Sequence, residues 1–215
     1  MDAPPSRWTI AGTDQNGNDM GPEIEAFRKF TQLEDVAPSR YSSLLVMSLF
    51  GGWKAGTVDP HKVVHEIRLL ELGQVSALKP PIQNRHPPLK GLWHKHYLED
   101  GISSLAKNVG RGLSKYGMPY FDQRIAEAKA AGETRYVTAE DIQALAADVV
   151  HGNLARLRSA EAMTGEWILF AKHNGKNYYL DITTHDRSTH DHVRRNIDAL
   201  CCHEFPFLGD LLASA

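Results

Sequence analysis

The amino-acid sequence predicts an α+β protein: a mainly helical single domain with a small antiparallel sheet built on a C-terminal β-hairpin, residues 166–183, followed by a helix. Three observations carry this expectation. Apolar residues recur at helical intervals, punctuated by capping residues, over most of residues 22–163. Two β-rich runs flank Asn174-Gly175, a strong short-range hairpin signal. The 215 residues are enough for one domain to bury a core without metals or disulfides. The expected organisation is a helical part, 22–163, and a hairpin–helix unit, 164–215.

The elements follow in order. Arg7 to Ala11 is a short strand candidate, and the polar run Asp14 to Asp19 after it reads as a loop. Pro22 suits the first turn of a helix reaching about Leu33, with Ile24, Phe27 and Phe30 on one stripe. Ser39 is the expected cap of the apolar segment Tyr41 to Phe50, with Gly51-Gly52 closing it as a helix. Asp59 caps a third helix with Pro60 at its first position and Val63, Val64, Ile67 and Leu70 on its apolar face; Gly73 ends it. Lys79 to Pro88 carries four prolines and reads as an extended loop. The type of Leu89 to Tyr97 stays open. Helices are expected at Ile102 to Tyr116 and at Pro119 to Ala131, and from Thr138 onward past His151-Gly152-Asn153 toward Met163. Thr134 to Val137 is a further edge-strand candidate.

For the hairpin, a two-residue Asn-Gly loop sets the register: Lys172 faces Asn177, Phe170 faces Tyr179, and Ile168 faces Asp181. Trp167, Leu169, Ala171, Tyr178, Leu180 and Ile182 then share one apolar face. Glu166, Ile168, Phe170, Lys172, Asn177, Tyr179, Asp181 and Thr183 share the other, which His185 extends. Ser188 or Thr189 caps the following helix, whose core positions are Val193, Ile197, Leu200 and Cys201.

Composition narrows the function classes. Hydrophobic residues make up 42 % and charged residues 23 % of the chain, which is globular composition. No apolar run approaches the roughly 18 residues a membrane helix needs, and the N-terminus lacks the regions of a signal peptide. A cytoplasmic location is expected. The formal net charge of −2 gives no global basic footprint for nucleic acid. The adjacent pair Cys201 and Cys202 reads as reduced, packed thiols, because neighbouring residues rarely meet disulfide geometry. The 11 histidines are the unusual feature.

The leading candidate site lies where the hairpin meets its helix. Tyr179, Asp181, Thr183 and His185 advance in two-residue steps, and the helix N-terminus beyond them offers unpaired N–H groups to an anion. Arg187, His190 and Arg194, with Lys172, are candidates for holding phosphate. A histidine titrating near neutrality supplies a general acid or base. His94 and His96 form a second candidate: on a strand they share a face and could hold a metal such as zinc, although no recognised zinc motif completes the set and no cofactor is favoured. His61, His65 and Glu66 have a weaker metal-competent spacing, which a polar helix face explains equally. Lys107, Arg111 and Lys115 form a basic stripe suited to a nucleic-acid backbone or to solvent.

These residues support three readings. The first is a histidine-dependent phosphodiester hydrolase, a metal-independent ribonuclease of toxin type. The hairpin ending in a histidine resembles the small toxin ribonucleases, including the barnase-like group, over that hairpin alone; the long helical region ahead of it departs from them. The second is a metal-dependent hydrolase using His94 and His96. The third is a non-enzymatic interaction or regulatory protein, antitoxin- or immunity-like, anchored by Trp93, Tyr97, Phe170 and Tyr179.

Overall fold

The computed structural model describes residue 10, residues 12–98, 101–132, 134 and 137–214. The elements run α1 (Gly21–Thr31), α2 (Leu33–Val36), α3 (Ser43–Lys54), α4 (Pro60–Glu71), β1 (Ile82–Gln83), β2 (Trp93–Tyr97) and α5 (Ile102–Tyr116). Then come α6 (Pro119–Ala131), α7 (Ala139–Ala147), a π-helical turn (Asp148–Gly152), α8 (Asn153–Ser159), β3 (Glu166–His173) and β4 (Lys176–Thr183). The chain ends with α9 (Arg187–Asn196), a second π turn (Ile197–Cys201), α10 (Cys202–Glu204) and α11 (Phe207–Ala213). The fold is mainly helical α+β with one small antiparallel sheet. The hairpin is internal rather than C-terminal, since α9 to α11 follow it. No helix among the described residues is long and apolar enough to cross a membrane.

The chain divides into two compact units. The first comprises residues 1–76, 80–100 and 165–215, and holds the sheet. Its strands lie in the order β1-β2-β3-β4, each antiparallel to the next. The chain runs to the edge of β4 at Arg40 to Ser42: the Tyr179 amide donates to the Arg40 carbonyl (2.8 Å) and the Ser42 amide to that of Tyr179 (2.9 Å).

Both faces of this sheet are core. On one, Ile168, Phe170 and Tyr179 pack with Ile24 and Phe27 of α1, Leu45 and Leu49 of α3, and Val63 and Ile67 of α4. On the other, Leu169, Ala171 and Leu180 meet Val193, Ile197, Cys201, Leu208 and Leu212. Each such large side chain contributes about 1.5–3 kcal/mol on burial, so two layers hold the hairpin. That is why β3 reads as a nearly continuous apolar run instead of a clean alternation.

The hairpin turn is as expected: Asn174 (φ 49°) and Gly175 (φ 74°) both adopt positive φ, as a type I′ turn requires. Lys172 faces Asn177 and Phe170 faces Tyr179. Beyond that the expected register fails. A bulge makes Leu169 face Asp181, so Ile168 faces Ile182 and Trp167 faces Thr183. The extra residue exchanges the faces: Ile182 packs with the first core instead of the second, and Tyr179 no longer shares a face with Asp181 and Thr183.

Smaller departures have local causes. The first helix breaks at Gln32, which takes left-handed φ (58°), and Phe30 is exposed. Ser42, not Ser39, caps α3, accepting from the Leu45 amide at 2.9 Å. That helix continues through Gly51-Gly52; a Cβ on Gly52 would lie 2.5 Å from Val58 Cγ2, so glycine lets the Val58 loop close over it. Asp186 instead of Ser188 or Thr189 caps α9, its carboxylate accepting from the Ser188 amide at 2.9 Å. Leu200 is exposed, whereas Val193, Ile197 and Cys201 are buried. Leu89 to Tyr97 resolves into a loop and β2. The strand candidate Arg7 to Ala11 lies outside the described residues except for Ile10, and Thr134 to Val137 lies partly outside them.

The second unit, residues 77–79 and 101–164, is helical. Its helices match the expected spans, with Thr138 and Asp141 forming a capping box at α7. Helical structure passes His151-Gly152 through the π turn and stops at Ser159. A Cβ on Gly112 would lie 2.7 Å from Asn153 Cβ, so glycine permits the close approach of α5 and α8. Lys107, Arg111 and Lys115 are exposed on α5, with Arg111 Nε donating to the Ala162 carbonyl (3.1 Å).

Gly165, just before β3, is the tightest position in the first unit. A Cβ there would sit 1.7 Å from the Tyr97 carbonyl oxygen and 2.6 Å from its carbon. Backbone atoms cannot yield as a flexible side chain can, so Gly165→Ala is expected to destabilise the protein by more than about 3 kcal/mol. Chemical denaturation would measure this, and a loss below about 1 kcal/mol would contradict the packing described.

Candidate functional site

Four histidines converge on Trp167. Their positions follow from strand pairing: in the β2–β3 ladder His94 faces Leu169 and His96 faces Trp167. Alternation then places both imidazoles on the Trp167 face. His185 and His190 arrive from the end of β4 and the first turns of α9. The His94 ring stacks on the indole at 4.0 Å between centroids, with 17° between planes. His190 lies 5.3 Å from the indole and His185 4.9 Å. His96 stands at 5.2 Å from His185, nearly parallel, and at 5.5 Å from His94, perpendicular.

Hydrogen bonds hold each ring. His94 Nδ1 is 2.9 Å from Asn84 Oδ1, and His96 Nδ1 is 2.8 Å from the Gly165 carbonyl. His190 Nε2 donates to the Thr184 carbonyl at 3.0 Å. The His185 ring is held at both nitrogens: Trp167 Nε1–H donates to Nε2 at 3.0 Å, and Nδ1 lies 3.2 Å from Glu166 Oε2. The same carboxylate oxygen accepts the His185 backbone amide at 2.9 Å. His94, His96, His190 and Glu166 are buried, whereas the His185 side chain is 42 % exposed. The arrangement therefore presents one accessible imidazole, oriented by a buried carboxylate and backed by three further imidazoles.

The two separate histidine groups expected from sequence are thus one cluster, and Glu166 and Trp167 are its unforeseen members. Glu166 had a signal, since the expected register placed it on the face that His185 extends. Trp167 had none, because its indole reaches His185 only through the bulge and the turn after Thr183.

Other expected members lie elsewhere. Tyr179 is fully buried on the opposite face, its hydroxyl donating to Glu71 Oε1 at 2.7 Å. Burial and the Glu71 carboxylate push that phenol well above its usual range. Glu71 also pairs with Arg40. Thr183 is buried opposite Trp167. Asp181 is buried opposite Leu169, taking hydrogen bonds from Ser48 and from the Ile182 amide (2.8 Å). Lys172 lies near the hairpin turn, its Nζ 3.8 Å from the Trp93 ring centroid, a cation–π contact about five residues along the strand from Trp167. Arg194 is held by Asp198 (2.9 Å) and the Pro88 carbonyl (2.9 Å). Arg187 is exposed on the first turn of α9. Asp186, by capping that helix, fills the place at which an anion was expected.

His61 packs edge-on against Phe30 at 4.7 Å, His65 is exposed, and Glu66 points inward to Lys95 Nζ at 3.3 Å. These three do not form a site. Among the described residues, no three His, Cys, Asp or Glu side chains are grouped so as to hold a metal ion. Cys201 and Cys202 are free thiols, and burial pushes Cys201 up to about 12. No family model matches the chain, and no curated protein or solved structure matches it either.

Asp181 makes a stability prediction. Burial raises its carboxyl to about 6, above the unfolded value. The group thus contributes stability when protonated, fully below about pH 4, and this is lost as pH rises through about 6. The buried charge then costs on the order of 3 kcal/mol. Asp181→Asn is expected to raise Tm at pH 7.5 and to converge with the wild type at pH 4, which thermal unfolding at the two pH values would show. A lower Tm at pH 7.5 would contradict the assignment.

Proposed function

We propose that this chain is a histidine-dependent phosphodiester hydrolase that cleaves RNA without a metal. One observation carries the reading: Glu166 Oε2 receives both the backbone N–H and Nδ1 of the exposed His185, with a second imidazole, His96, 5.2 Å away. Metal-free cleavage of RNA needs a base for the 2′-hydroxyl, and an accessible imidazole backed by a carboxylate supplies it.

In the proposed reaction, His185 Nε2 takes the 2′-hydroxyl proton as O2′ attacks phosphorus. The P–O5′ bond breaks, and the leaving O5′ takes a proton from solvent, to which the His185 imidazolium later returns its own. The products are a 2′,3′-cyclic phosphate and a 5′-hydroxyl. Glu166 stabilises the imidazolium formed on His185, as a carboxylate does behind any catalytic imidazole. Arg187 supplies positive charge to the phosphorane from the exposed first turn of α9. DNA lacks the internal nucleophile and is the natural control. The substrate class and the free thiols fit a cytoplasmic setting.

A second reading is favoured by one specific observation. His94 Nδ1 and His96 Nδ1 both lie against carbonyl oxygens, the orientation in which metal-binding imidazoles are held by their outer partners. It is the metal-dependent hydrolase built on His94 and His96, with zinc as the ion. The regulatory reading has less support, because Tyr97, Phe170 and Tyr179, three of its four expected anchors, are core residues.

The test is cleavage of mixed-sequence RNA and DNA with EDTA present throughout. The expected outcome is RNA cleavage alone, lowered about 10²- to 10⁴-fold in a His185→Ala variant that melts like the wild type. Cleavage abolished by EDTA and restored by zinc would select the metal reading. RNA cleavage at wild-type rate in His185→Ala, or none by the wild type, would overturn the proposal.

A further inference from the structure

We propose that Trp167 is the positioning residue of this centre, holding His185 in one ring orientation and one tautomer. The inference rests on His185 being the acid–base group, but its first consequence is chemical and is measured without turnover.

An indole nitrogen donates and cannot accept. Its contact with His185 Nε2 at 3.0 Å therefore requires a lone pair on Nε2. In a neutral ring the single proton then sits on Nδ1, where Glu166 Oε2 lies at 3.2 Å. A ring flip would exchange both nitrogens for carbons and lose both hydrogen bonds at once. Neither contact alone sets both properties. Glu166 also binds the His185 amide, so it anchors the residue, whereas Trp167 senses Nε2 itself.

Trp167 is well placed for this because its own position is fixed twice. Its backbone lies between His96 of β2 and Thr183 of β4 in the sheet. Its ring is stacked by His94 at 4.0 Å and flanked by His190 at 5.3 Å. These two imidazoles are themselves held by Asn84 and by the Thr184 carbonyl. The histidines that do not touch the reaction thus have a role: they brace the indole that aims the one that does. The contact keeps the lone pair on Nε2, the form of the ring that a general base needs.

The experiment uses the full-length chain labelled with ¹⁵N in histidine and tryptophan. Wild-type His185 is expected to show protonated Nδ1 and unprotonated Nε2, with a coupling across the hydrogen bond between Trp167 Nε1 and His185 Nε2. A wild-type spectrum with the proton on Nε2 of neutral His185 would overturn the inference, whatever the activity. Trp167→Phe, which keeps an aromatic ring but has no N–H, is expected to lower kcat for RNA about 10- to 100-fold, as misplacement of a reacting group does, with KM changed less than about 2-fold. Wild-type kcat in this variant would also overturn it. Failure of the ribonuclease reading would show separately, as RNA cleavage unchanged in His185→Ala or absent from the wild type, and the spectrum would still decide the tautomer.

Discussion

The pairing of β2 with β3 is the constraint from which the rest of this structure follows. It joins two segments separated in sequence by the whole helical unit, and its register places His96 opposite Trp167. The pairing depends on Gly165, which alone among residues lets the chain pass the Tyr97 carbonyl at the required distance. That same passage delivers the Gly165 carbonyl to His96 Nδ1 and starts β3 so that Glu166 and Trp167 reach His185. A shift of one residue in this ladder would turn His94 and His96 toward the other core and dissolve the cluster.

The sheet accepts polar residues at several buried positions because each is given a partner. Lys95, 4 % exposed on the face opposite its histidine neighbours, pairs with Glu66 of α4, and Ser76 donates to the second Glu66 oxygen. Tyr179, Glu71, Arg40 and Asn177 form another such group at the edge of β4. Removing one partner of a buried pair costs more than the pair contributes, because the other charge is left buried and unpaired. Asp181 is the exception: its partners are neutral, and its carboxyl is raised as a result.

The site combines opposed influences on one ring. Glu166 Oε2 faces His185 Nδ1, while the Trp167 N–H donates to Nε2. An imidazole held between a carboxylate and a donor is fixed in one ring orientation by two contacts at once. The buried imidazoles around the indole serve that geometry through stacking and through bonds to carbonyls.

Much of this was legible along the chain. Helix spans with caps and periodicity and the Asn174-Gly175 turn rest on local rules: φ preferences, capping and alternation act over a few residues. So did the shared face of His94 and His96, once that segment was extended. What lay beyond the sequence was non-local. The bulge at Leu180 leaves Tyr179 and Ile182 in one core and Leu180 in the other, and it separated Tyr179 from Asp181 and Thr183. Lys172 found a partner in Trp93 and Arg194 one in the Pro88 carbonyl, which no spacing rule foretells, whereas Arg194 with Asp198 is an ordinary i, i+4 helix pair. The sequence by itself determined the α+β class, the helices and the hairpin. Only the tertiary structure decided that β2 lies against β3, and with it that four histidines, Glu166 and Trp167 form one site, because strand pairing across a long insertion is set by packing and not by local preference.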